Sequence, residues 1–175
     1  VSMYGQGINI LFNIFFGPAL NAAAAIAYQV KGSVTGFTQN FQLAMNPQII
    51  KSFASDDLKY MHQLIFYGAK YSFFLLFALS LPIVMETEAI LKLWLKIVPE
   101  YTVIFTQLVI IGSLINSLSG PLMTAAQASG KIKLYQTVVG GLLILILPSS
   151  YLVFKLGFPP QMTFYISISI YIIAL

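Results

Sequence analysis

Long apolar blocks separated by short Gly/Pro-rich or charged connectors run the length of the chain. The pattern predicts six helices, at about residues 3–16, 19–45, 61–85, 101–128, 134–154 and 161–175. The first break is Gly17-Pro18. The later connectors are the polar stretch after "NPQ", then "ETEAILKLWLKIVPEY", "SGKIK" and "KLGFPP". Several blocks reach the about 20 residues that a helix needs to cross a bilayer. Helices follow rather than strands, because an open sheet leaves backbone groups unsatisfied in lipid and a barrel would show short alternating strands.

Polar residues interrupt these blocks at helical spacing. Tyr28, Lys31, Thr35, Gln39 and Gln42 recur every three or four residues and form one stripe, while Val30, Val34, Phe37, Phe41 and Met45 form an apolar stripe on another face. With a helix start near Asn21, Lys31 falls roughly 15 Å deep, close to the midplane. A lysine there costs about 2.5–3.5 kcal/mol on insertion scales, so it is expected to face protein or water. The first block repeats the pattern with Gln6, Asn9 and Asn13. The fourth does so with Ser113, Asn116, Gly120, Thr124 and Gln127, and Pro121 is expected to bend it. Lys70 lies about nine residues into the third block, between Gly68 and Tyr71.

Plainer roles stand beside these. Small and hydroxyl residues such as Ser113 and Gly120 commonly serve as helix-packing surface, and Asn9 and Asn13 can bond between helices. Lys70 can snorkel to an interface. The expectation is that Gln6, Asn9, Asn13, Tyr28, Lys31, Thr35 and Gln39 face one shared cavity or an open inter-bundle face. Val30, Val34 and Phe37 are expected to face lipid or neighbouring helices. These polar residues, with Lys70, are the candidate substrate path.

Composition turns the pattern into a class. Hydrophobic residues make up 58% of the 175 and charged residues only 8%, against about a quarter charged in ordinary globular domains. Such a chain cannot cover a soluble surface, which points to an integral membrane protein. The net charge is +4, and every basic residue is a scattered lysine, so nucleic acid is not an expected partner. The absence of cysteine excludes disulfides and thiolate chemistry. All five acids lie in connectors or at helix edges; His62 is expected to be an ordinary interfacial residue, and Glu86 with Glu88 a solvated edge. No metalloprotease, nucleophile-elbow or phosphate-loop motif is present. The expectation is a protein that is not an enzyme and needs no cofactor or metal. Lys51, Lys59, Lys131 and Lys133 on one side against Lys92, Lys96 and Lys155 on the other place the first group in the cytoplasm. Trp94 is expected to anchor a loop at the opposite interface. With no leader-like start and a final apolar run "YISISIYIIAL", the chain is expected to be a piece of a longer membrane protein, forming a single unit over 1–175.

The stretches "FGPALNAAAAIAYQV", "AMNPQIIKSFASDDLKYMHQLIFYGAKYSFF", "ILKLWLKIVPEYTVIF" and "QASGKIKLYQ" resemble, in order and spacing, bacterial polysaccharide (O-antigen type) flippases. These belong to the superfamily that includes multidrug and toxic compound extrusion transporters and the lipid II flippase. The resemblance implies an all-α membrane protein: six transmembrane helices forming the C-terminal half-bundle of a roughly twelve-helix, multi-pass transporter of the bacterial cytoplasmic (inner) membrane. It implies as substrate an undecaprenyl-diphosphate-linked oligosaccharide, with membrane lipids and the N-terminal half of the same transporter as partners. It also leads one to expect an arginine where Ala24 stands and an uncharged polar residue at Lys31, two turns along the same face. The alternatives are a cation-coupled multidrug antiporter of that superfamily, which would need a membrane-embedded acid, and a membrane-embedded transferase or non-transporting assembly protein.

Overall fold

A computed structural model describes residues 3–175 of the chain. Among the described residues there is no strand, and the helices are α1 (Met3–Phe16), α2 (Pro18–Ala54), α3 (Leu58–Met85), α4 (Thr87–Trp94), α5 (Thr102–Ser117), α6 (Ser119–Ala128), α7 (Ile132–Ile144), α8 (Ile146–Lys155) and α9 (Met162–Ile173).

Backbone chemistry explains where they start and stop. Gly17 separates α1 from α2 with φ 85 and ψ 176, a conformation open essentially to glycine alone, and Pro18 then opens α2 with its φ already helical. A Cβ on Gly17 would meet nothing within 4 Å, so the cost of adding one is purely conformational. Gly17→Ala is expected to lower stability by about 1–3 kcal/mol, read as a fall in the thermal unfolding midpoint in detergent.

The second helix does not end at "NPQ". It runs through Pro47 to Ala54, 37 residues in all, or roughly 55 Å, and therefore extends beyond a hydrocarbon core of about 30 Å. Just before the proline α2 is held from two sides, with Met45 against Gly68 of α3 and Asn46 bonded to Thr124 of α6, and this packing sustains the helix across it. The third helix begins at Leu58 rather than near 61 because the Asp57 carboxylate caps it, accepting the Tyr60 N–H at 3.0 Å.

A further correction concerns "ETEAILKLW". This stretch, expected as a loop, is the two-turn helix α4, with Trp94 as its last residue. It buries Thr87 and Leu91, one turn apart, and exposes an i,i+4 ion pair in which Lys92 lies 2.6 Å from Glu88. The Lys92 hydrogen bond holds the Glu88 carboxyl below its ordinary value.

Two of the expected blocks are bent rods. The α5–α6 break at Leu118 and the α7–α8 break at Leu145 each fall three residues before a proline, Pro121 and Pro148. A proline lacks the N–H that would bond the carbonyl four residues back, and its ring crowds that carbonyl. Both break residues nevertheless keep right-handed helical angles, so each pair continues as one span, Thr102–Ala128 and Ile132–Lys155.

With Leu58–Met85, these spans are three helices long and apolar enough to cross a membrane. Only 22% of the most apolar window of α3, and 17% of that of α7–α8, is buried inside the protein. Apolar side chains left outward on that scale need lipid as their solvent, and this is the architecture of an all-α membrane protein.

The main core lies at the α1 end of α2. Phe12 is fully buried there, with ring centroids of Phe105 and Phe154 each at 5.9 Å and Phe164 at 6.2 Å. Ala23, Ala24 and Ala27 supply the flat α2 surface that belongs to the same core.

Candidate functional site

Beside that core, α2, α5, α6 and α7, with Leu76 of α3, line a half-open cavity of about 430 Å³. From α2 it is lined by Lys31, Thr35, Thr38, Gln39 and Gln42. The bent span adds Ser113, Asn116, Ser117, Ser119, Gly120 and Met123, while α7 adds Tyr135, Gln136, Val139 and Gly140. Helical spacing delivers the α2 set to one side, and Gly120 and Gly140 keep the opposing walls low. Several hydroxyls are already spent on their own helix: Thr35 Oγ1 donates to the Lys31 carbonyl at 2.9 Å, and Ser113 Oγ to that of Val109 at 2.7 Å. The Gln39, Asn116 and Gln136 carboxamides add groups that both donate and accept. No carboxylate lies on the wall.

Lys31 carries the cavity's charge. Its Nζ stands 5.9 Å from the centroid of the Tyr28 ring, within cation–π range. Among the described residues the one ion pair is Lys92–Glu88, so Lys31 is not neutralised by an acid of this chain. It also borders a small hollow shared with Tyr28, Gly112, Phe164, Ser167 and Tyr171. On the same face of α2, Ala24 is sealed in the aromatic core at 1% exposure. That face is closed at Ala24 and open at Lys31, so the expected arginine position has no cavity to serve.

The depth of Lys31 also needs correcting. Gln42 bonds Ser72, at the middle of α3, and Ser117, close to the middle of Thr102–Ala128. Gln42, not Lys31, is therefore level with the span centres. Lys31 lies eleven residues back along α2, roughly 16 Å at the helical rise, in the half nearer α4. The midplane expectation counted depth from the start of α2, whereas the hydrogen bonds of Gln42 put the centres of the neighbouring spans farther along the helix.

Of the remaining candidates, Thr35 and Gln39 join Lys31 on the cavity, and Tyr28 lies beside Lys31 in the hollow. Gln6, Asn9 and Asn13 are outside it. They are exposed on α1, whose opposite face sends Ile8 and Phe12 into the core. Asn9 is joined to α2 through its backbone, its carbonyl accepting from Asn21 Nδ2 at 3.1 Å. Lys70 is exposed on α3 and is likewise off the cavity, because the inward face of α3 there is Ser72 and Leu76. In the apolar stripe Val34 is buried, Val30 half-buried and Phe37 exposed. Sequence reasoning missed the α7 wall: Tyr135, Gln136 and Gly140 share a helix side, but the adjacent "SGKIK" drew that segment's reading toward its charge.

No protein-family model, curated protein or solved structure matches the chain.

Proposed function

We propose that the chain belongs to a flippase that moves an undecaprenyl-diphosphate-linked oligosaccharide from the cytoplasmic to the outer leaflet of a bacterial cytoplasmic membrane. In this reading α1, α2, α3, α5–α6, α7–α8 and α9 are six crossings, the C-terminal half of a transporter with about twelve. The small helix α4 lies at the outer interface.

The observation that carries the proposal is the makeup of the cavity wall: one ammonium, several carboxamides and hydroxyls, and no carboxylate. A diphosphate is drawn to Lys31, and the attraction strengthens where water is partly excluded. Carboxamides can meet sugar hydroxyls as donors and as acceptors. The lipid tail stays in the bilayer, beside α7, which buries none of its own residues and forms a thin wall. Transport follows from the two half-bundles opening alternately to either side. A cationic drug would be repelled by Lys31 and would find no acid on this wall, which favours the flippase over the drug-antiporter alternative.

Liposomes containing the protein and a fluorescent lipid-diphosphate oligosaccharide test the proposal. Protein-dependent inward or outward movement of that lipid is expected, with much slower movement of the same glycan on a phosphate-free lipid. Equal movement of both, or preferential transport of a cationic dye, would overturn it.

A further inference from the structure

Pro121 leaves a carbonyl without its helical partner, and that carbonyl belongs to Ser117, four residues back. The Gln42 side chain of α2 meets it: Nε2 donates to the Ser117 carbonyl oxygen at 2.9 Å and to Ser72 Oγ at 3.0 Å. Both amide hydrogens are thereby used, one on the bent span and one on α3. Gly120 makes room, since a Cβ there would fall on the Gln42 carboxamide. One turn further along α2, Asn46 Oδ1 accepts from Thr124 Oγ1 at 2.8 Å. Gln42 and Asn46 thus grip the α5–α6 span on either side of its proline. Gln42, Ser117 and Gly120 are at the same time part of the cavity wall.

We propose that Gln42 stands in for the backbone hydrogen bond that Pro121 deletes, and so ties the bend of the α5–α6 span to the shape of the cavity. Gln42 is a positioning residue: any ligand or movement that draws its carboxamide away strips the Ser117 carbonyl of its donor in a low-dielectric setting, and the span must re-bend to recover one. The bend and the cavity wall then change together, as two arrangements of a packed element rather than a continuous flexing. This inference does not depend on the flippase proposal, and its test uses no substrate.

The test is a double-mutant cycle on the protein in nanodiscs. The chain has no cysteine, so labels at Glu100→Cys and Lys131→Cys, both exposed at the ends of the span, report its bend by electron–electron distance measurement. Gln42→Met is expected to broaden the distance distribution and lower the unfolding midpoint. Adding Pro121→Ala restores an N–H to the Ser117 carbonyl. It is expected to return a single narrow distance, longer than the native one, and to recover most of the lost midpoint. An unchanged distribution and midpoint in Gln42→Met would overturn the proposal, as would Pro121→Ala failing to rescue. If Gln42→Met does not accumulate folded, recovery of folded protein in the double variant supports the proposal, and failure of both variants overturns it. Pro121→Ala alone completes the cycle, because removing a proline from a helical span raises the midpoint by itself: a packing role for Gln42 would leave Gln42→Met equally damaging with and without Pro121→Ala, whereas the proposal expects that damage to shrink when Pro121→Ala is present.

Discussion

Under the flippase proposal, Lys31→Met is expected to cut lipid-diphosphate flipping at least tenfold while leaving the abundance and membrane insertion of the protein near normal. The ammonium is the only charge on the cavity wall, so its removal takes away the electrostatic attraction for a diphosphate without replacing it. Methionine keeps most of the length and the packing against Tyr28. Among the described residues no acid pairs with Lys31, so the change strands no buried counter-charge, the usual reason such substitutions unfold proteins. Lys31→Arg is expected to keep partial activity, since the charge survives but the broader, planar guanidinium does not reproduce the position of an ammonium. Surface polysaccharide assayed beside membrane protein level separates the outcomes. Full activity in Lys31→Met at normal abundance would remove Lys31 from the mechanism, and loss of the protein itself would mean that Lys31 is structural.

The largest effect on stability is expected at Phe12. Its ring is fully buried and meets three other rings, from α5, α8 and α9. Phe12→Ala opens a cavity where those helices meet the alanine face of α2, at an expected cost of about 3–5 kcal/mol. In a bilayer, helix association depends on close packing rather than on escape from water, so the lost contacts are not offset by lipid. Phe37, 63% exposed on α2, provides the contrast: Phe37→Ala is expected to be nearly neutral. Thermal unfolding in one detergent compares the two directly.

Much of this fold was legible in the hydropathy pattern, because apolar blocks bounded by Gly, Pro or charge leave few alternatives in lipid. The polar stripe was legible too. Spacing alone placed Thr35, Gln39 and Gln42 with Lys31, and they share a cavity. What escaped depends on partners. Asn46-Pro47 looks like a helix end until α3 and α6 are present to sustain α2 past it. The α4 segment carries too few residues for its period to stand out from its charges. Gln6, Asn9 and Asn13 do not join that cavity, because α1 turns its opposite face to the core; they stand exposed, which agrees with the open-face alternative of the expectation. The depth of Lys31 was misjudged because sequence gives distance along a helix and not where that helix meets the membrane.

Site-specific photo-crosslinking in cells tests the central claim most directly. With p-benzoylphenylalanine at Gln39, on the cavity and exposed to its interior, and at Lys70, exposed on the outer side of α3, the captured lipids can be identified by mass spectrometry. A diphosphate-linked glycolipid captured at position 39 and not at position 70, and lost when Lys31→Met is added, is the expected result. Ordinary phospholipid alone at both positions, or glycolipid capture at position 39 that is indifferent to Lys31, would contradict it.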